Sequence, residues 1–157
     1  MSDIVHISVE QTAGYEFRVR FEEPAIADLK TDLSAPLGQG AGPNPEHLLT
    51  AAVANCLSAS LMFALSKFRN LPGPLRATAT SRTGRNADKR VRVEDIDVRI
   101  ELPGQPDDYQ SLDRVLAQFE AFCTVTESVR QGVSVNISVV DGQGTTLHHS
   151  RSGGPQD

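Results

Sequence analysis

The sequence predicts an α+β fold with mostly antiparallel strand pairing. Three observations carry that expectation. Residues 4–10 and 15–21 each alternate apolar and polar side chains, with Thr12-Ala13-Gly14 between them. Residues 48–65, LLTAAVANCLSASLMFAL, carry no charge over 18 positions and follow the helix-start pattern Asn44-Pro45-Glu46. Residues 90–102 and 133–140 alternate again, with a helical stripe between them.

Each element has a local reason. Val5, Ile7 and Val9 share one face of the first strand, and Tyr15, Phe17, Val19 and Phe21 one face of the second, so the two read as an opening hairpin. Residues 25–33 read as a weaker third strand. After the loop SAPLGQGAGPNP, Asn44 is a favoured N-cap. Pro45 suits the first helical position, and the Glu46 carboxylate suits the positive end of the helix dipole. The helix is expected to run to about Asn70, where Leu71-Pro72-Gly73-Pro74 stops it. An 18-residue apolar run also meets the minimum for a membrane span. Its Ala, Ser and Asn55 content and the lack of a second span favour a central core helix instead.

Strands are expected from Ala77 and over 90–102. In the second, the apolar phase switches from odd to even at Glu94-Asp95, which a β-bulge there would reconcile with one buried face. Leu112, Val115, Leu116 and Phe119 mark a second helix over about 107–121. Thr124 to Glu127 matches a capping box, so a short helix is expected to begin at Thr124. A strand over 133–140, a turn at Asp141-Gly142 and an edge strand at TTLHH complete the chain. One domain over residues 1–150 is expected, with a disordered tail at 151–157.

Composition narrows the function. Fifteen basic against twenty acidic residues leave a net charge of −5, which argues against a nucleic-acid binder. Trp is absent and aromatics make up 5%, so stacking platforms are scarce. Two cysteines are too few for a secreted disulfide scaffold, and the N-terminus has no signal-peptide pattern, which favours a cytoplasmic location.

Cys56 lies inside the apolar helix and Cys123 at the start of a short one, where backbone N–H groups and the dipole would favour a thiolate. Either cysteine could be an inert small hydrophobe. As a pair on two packed helices they could be a peroxidatic and a resolving thiol. The loop GQGAGP precedes a helix but lacks the Lys-Ser/Thr of a P-loop and the spacing of a dinucleotide fingerprint. A flexible connection fits it better. His148 and His149 are adjacent, so on a strand they face opposite sides and one zinc ion could not easily use both. Arg18 and Arg20 lie on the polar face of the second strand. They are either solvated or, if that face meets a cleft, able to pair with Glu46 and polarise a peroxide.

The stretch LGQGAGPNPEHLLTAAVANCLSASL resembles the signature of the OsmC/Ohr family of peroxide reductases: a Gly-rich loop, Asn-Pro-Glu, a helical Leu/Ala run and a cysteine on the same helix. The second cysteine, in FCTVTESVRQGVSVNISV, is similarly placed before a short helix and a Val-rich strand. The likeness covers about residues 15–141 and is to a divergent branch. Thr124 stands where the peroxidases usually have Pro, and neither Arg18 nor Arg20 lies in the family's Gly-rich arginine context.

The resemblance implies antiparallel sheets wrapped around two central helices in an intertwined homodimer. It implies reduction of organic hydroperoxides or hydrogen peroxide, with Cys56 as peroxidatic thiolate, Cys123 as resolving thiol and a Cys56–Cys123 disulfide as the oxidised state. A dithiol reductant, a lipoylated protein or a small thiol, would restore it, with no cofactor or metal. It also implies that Glu46 holds an active-site arginine, for which Arg18 and Arg20 are the candidates. Ten residues, about 15 Å of helix, separate Glu46 from Cys56. In that role Glu46 would therefore serve the partner chain's thiol. Leu48, Leu49, Leu57, Phe119 and Phe122 would line a site for lipophilic hydroperoxides. The alternative is a dimeric small-molecule binding module whose cysteines pack and do not turn over.

Overall fold

The computed structural model describes residues 4–153. The chain divides within its long helix into two compact units, residues up to 49 and residues from 50 onward.

The first unit is a three-stranded antiparallel sheet in the order β1 (Ile7–Ala13), β2 (Glu16–Phe21), β3 (Leu29–Thr31). The hairpin register sets Ile7 opposite Phe21 and Val9 opposite Val19, so the two apolar faces coincide as their alternation requires. Gly14 turns the chain at φ +49°. Ile7 and Val9 stay exposed in the single chain, each at 56%. Asp32, just after β3, organises the glycine loop: its Oδ2 accepts the N–H groups of Gln39 (2.9 Å) and Ala41 (3.1 Å). Those N–H groups already hold a carboxylate, which explains the loop's composition without any phosphate. Gly38 is required for contact: a Cβ there would lie 2.0 Å from the Leu33 carbonyl oxygen and 2.3 Å from Asp32 Oδ1.

Helix α1 runs over Pro45–Lys67. Its cap is reciprocal. The His47 N–H donates to Asn44 Oδ1 (2.9 Å), and the Asn44 N–H donates back to His47 Nδ1 (3.2 Å). His47 thus takes the part a Glu or Gln plays in a capping box. The helix stops three residues short of the expected Asn70. Arg69 adopts left-handed φ +60°, its N–H reaches Ser66 O, and the Asn70 N–H reaches Leu65 O. This is a Schellman closure made without glycine.

The second unit contains the rest of α1 and a four-stranded sheet in the order β4 (Arg76–Arg85), β5 (Val91–Glu101), β6 (Ser134–Val140), β7 (Thr146–Ser152). Opposite the β4 step Arg82–Thr83, β5 steps from Asp95 to Val93, which leaves Glu94 as the bulged residue the phase switch called for. The β5–β6 pair is parallel, so this sheet is mixed. The residues between those strands make the crossover a parallel pair needs. Along the pair, Ile96 faces Val135, Val98 faces Ile137 and Ile100 faces Val139. All six are buried, in the same core as Val53, Leu57, Leu61, Leu65 and Phe119.

The expected helix over 107–121 is interrupted. A 3₁₀ turn covers Pro106–Asp108, α2 covers Leu112–Gln118, and a second 3₁₀ turn covers Phe119–Phe122. Buried Asn70 is the reason. Its amide donates to Gln110 O (2.9 Å) and accepts the Gln110 N–H (2.7 Å), while Ser111 takes left-handed φ +53°. A contact spanning 40 residues thus overrides local periodicity. Strand β7 also extends to Ser152, two residues into the expected tail, with Arg151 opposite Asn136. The remainder of that tail, 154–157, lies outside the described residues.

One described helix, α1, is long and apolar enough to cross a membrane by length and composition, with mean hydropathy 1.9 over 18 residues. One face of it, Val53, Leu57, Ser60, Leu61, Ala64 and Leu65, is buried. The opposite side keeps Met62 and Phe63 exposed in the single chain, Phe63 at 51%.

Candidate active site

Helix α1 presents Cys56 half-buried on its fourth turn. Cys123, fully buried, is the N-cap residue of α3 (Thr124–Val129). The chain brings the two together. Both thiols are free, and Cys56 is close enough to act on the ionisation of Cys123, so two side chains distant in sequence are neighbours.

A second contact runs beside the first. Phe63 lies two turns beyond Cys56 on the same face of α1. Its ring meets that of Phe122, the residue before Cys123, edge to face at 5.4 Å. Lys67, one further turn on, places Nζ 4.6 Å from the Phe63 ring centre and 4.1 Å from that of Phe122. The cysteine pair and the edge-to-face rings therefore hold the segment around 122–123 to the helix at points two turns apart.

The expected capping box at Thr124 and Glu127 does not form, because Cys123 rather than Thr124 is the N-cap. Thr126 takes up the sulfur instead: the Cys123 thiol and Thr126 Oγ1 are 2.9 Å apart. Thr126 is itself fully buried. Its position, three residues after the cysteine, was the one sequence signal for this contact. The thiol of Cys123 is not a ready thiolate. Burial pushes its pKa up, and the neighbouring Cys56 pushes the same way. The hydroxyl and backbone N–H of Thr126 pull it back only in part. The expectation that the helix start would favour a thiolate is thus overturned by desolvation.

A half-buried polar cluster that the sequence did not announce anchors the same segment. Glu120 accepts hydrogen bonds from His148 Nε2 (2.6 Å), Ser150 Oγ (2.6 Å) and Arg130 (2.9 Å). Burial disfavours the Glu120 carboxylate, but these three donors outweigh it and hold its pKa down at about 2. Arg130 also reaches Glu127 at 3.1 Å. The cluster joins β7 to the 3₁₀ turn, and the Glu120 carbonyl accepts the Cys123 N–H at 2.9 Å. His148 also packs on the Phe119 ring at 5.4 Å. His149 points elsewhere, into a shallow groove with Thr78, Asp97 and Asn136. The two histidines thus face opposite sides, as strand geometry requires. Among the described residues no group of three His, Cys, Asp or Glu side chains could hold a metal.

Of the other anticipated residues, Glu46 is half-buried in the first turn of α1. Arg18 and Arg20 are both about half-exposed on β2. Arg20 pairs with Glu10 (3.6 Å) and Asp28 (3.5 Å), and Arg18 lies 4.0 Å from Asp28. They are held by surface carboxylates of their own sheet. Leu57 and Phe119 are fully buried and line no open surface in the single chain, whereas Phe122 is 38% exposed.

Residues 38–138 match the family model described as OsmC-like protein. The chain belongs to the OsmC-like family. Solved structures of OsmC-like proteins share its architecture. An OsmC-like protein from Mycoplasma pneumoniae superposes with TM-score 0.74 at 12% identity, covering 90% of this chain and 99% of that one. An organic hydroperoxide resistance protein from Elizabethkingia anophelis gives 0.68 at 19% identity, covering 90% and 100%. An organic hydroperoxide resistance protein OsmC from Legionella pneumophila gives 0.67 at 18% identity, covering 87% and 96%. No curated protein matches in sequence. At these identities the likeness shows the OsmC fold, α+β with one antiparallel and one mixed sheet.

Proposed function

We propose that the protein is a thiol-dependent peroxidase that reduces organic hydroperoxides in defence against oxidative stress. The observation that supports this most is that two free thiols, one half-buried and one buried, are close enough to influence each other. In the proposed cycle the Cys56 thiolate attacks the outer peroxide oxygen. The O–O bond breaks, an alcohol leaves with the proton, and Cys56 becomes a sulfenic acid. The Cys123 sulfur then attacks Cys56. The S–O bond breaks, water leaves with the Cys123 proton, and a disulfide closes. A cytoplasmic dithiol, a lipoylated protein or a small thiol, reduces it by two exchanges. The half-exposure of Cys56 suits it to meet peroxide first.

The reading includes a homodimer. The exposed apolar side of α1, with Met62 and Phe63, is surface a second copy would cover. In such a dimer Glu46 would hold Arg18 or Arg20 against the partner's thiol.

The test is a thiol count. Reduced protein is treated with one equivalent of cumene hydroperoxide, and free thiols and intermolecular crosslinks are measured. Loss of two thiols per chain without crosslinking is expected, and Cys123→Ser should convert this into overoxidation of Cys56. No thiol loss in the reduced wild-type protein would leave a binding module with inert cysteines.

A further inference from the structure

We propose that Thr126 is a positioning residue for the resolving step, its hydroxyl turning toward Cys123 Sγ as that sulfur gives up its proton. The inference rests on the thiol-peroxidase reading above and deepens it.

The geometry is specific. Oγ1 of Thr126 lies 2.9 Å from Sγ, and both side chains are fully buried. No water reaches either group, so the protein alone solvates whatever charge develops there. Cys123 Sγ is the hydrogen-bond partner of the Thr126 hydroxyl among the described residues. A threonine hydroxyl is both donor and acceptor. In the resting dithiol the Cys123 S–H donates to Oγ1. When the proton leaves, a rotation about the C–O bond sends the hydroxyl hydrogen to the sulfur, without movement of any heavy atom. The Thr126 hydroxyl is thus the polar group placed to solvate a buried thiolate.

Two forces oppose that thiolate, burial and the neighbouring Cys56. The second disappears when it matters. Once Cys56 is a neutral sulfenic acid, its thiolate charge no longer repels a second anion and its sulfur is the electrophile. What remains against Cys123 is desolvation, and Thr126 is the side chain placed to offset it. Without the hydroxyl, the thiolate fraction falls and the disulfide closes more slowly. A hydrogen bond to a charged group in a water-free site is strong enough for a change of about tenfold.

The experiment compares Thr126→Val, which keeps the shape, with Thr126→Ser, which keeps the hydroxyl, in the full-length protein. After one equivalent of cumene hydroperoxide, disulfide closure is timed by acid quench and mass spectrometry from pH 5.5 to 9. Thr126→Val should slow closure about tenfold at pH 7, displace its pH profile to higher pH and increase sulfinic acid at Cys56. Thr126→Ser should restore rate and profile. Equal slowing in both variants with an unmoved profile would mean that Thr126 only packs, and it overturns the inference, as does wild-type closure in Thr126→Val. The first oxidation of Cys56 should be unchanged in both. A second readout, thiolate absorbance against pH in the Cys56→Ser background, needs no peroxide. If wild-type protein ignores hydroperoxide, the peroxidase reading fails, and this titration still decides whether the hydroxyl stabilises the Cys123 anion. Were Thr126→Val not to fold, Thr126→Ala takes its place in both measurements.

Discussion

Replacing Glu120 by Gln removes one charge from the cluster that anchors the segment of Cys123, and its effect follows from the structure. Hydrogen bonds from His148, Ser150 and Arg130 outweigh burial and lower the Glu120 pKa from 4.5 to about 2. At roughly 1.4 kcal/mol per tenfold change in proton affinity, that difference corresponds to a ceiling of about 3 kcal/mol. The carboxylate is 16% exposed, so solvent screens part of it, and about 1–2 kcal/mol is the expected loss at pH 7. The pH dependence has a definite sign. A carboxyl whose folded pKa is depressed stabilises the fold fully above its unfolded value near 4.5. That contribution is lost as pH falls toward the folded value near 2. Urea denaturation of wild type and Glu120→Gln at pH 7, 5.5, 4.5 and 3.5 should therefore show a gap that is constant to about pH 5.5 and then narrows. A gap of the same size at every pH would mean that Gln disturbs packing rather than charge. No gap at pH 7 would mean that the three hydrogen bonds add nothing over their hydrated alternatives.

Three further outcomes are expected. Asn44→Ala should cost about 1 kcal/mol in denaturation, since it removes the acceptor for the His47 N–H at the start of α1. Gly38→Ala should cost about 1–3 kcal/mol, because the added methyl meets the Leu33 carbonyl and the Asp32 carboxylate; a neutral result would mean that the loop opens freely. Arg18→Ala and Arg20→Ala should each leave the urea midpoint almost unchanged, as exposed ion pairs contribute little, and slower oxidation of Cys56 in either variant would identify the cation that serves the thiol.

Local patterns foretold local structure here. The cap at Asn44, the hairpin at Gly14 and the bulge at Glu94 each follow from spacing or residue type within a few positions. What the pattern could not carry was action at a distance. Asn70 breaks the second helix through Gln110, and nothing near residue 111 announces it. His148 and Ser150 find Glu120 across 28 and 30 residues. The parallel β5–β6 pair was hidden for the same reason, since two alternating strands look alike whichever way they run. At the candidate site the cysteines stood out by rarity and by motif. Their contact, and the part of Thr126 in it, required the fold.

The parallel pairing of β5 with β6 bears on the order in which the molecule assembles. The β4–β5 hairpin needs only a short loop closed, whereas β6 cannot dock on β5 until the whole stretch from Leu102 to Val133 has looped back. Cys123 travels in that stretch. The two sulfurs are therefore held beside each other stably only once that long loop has closed.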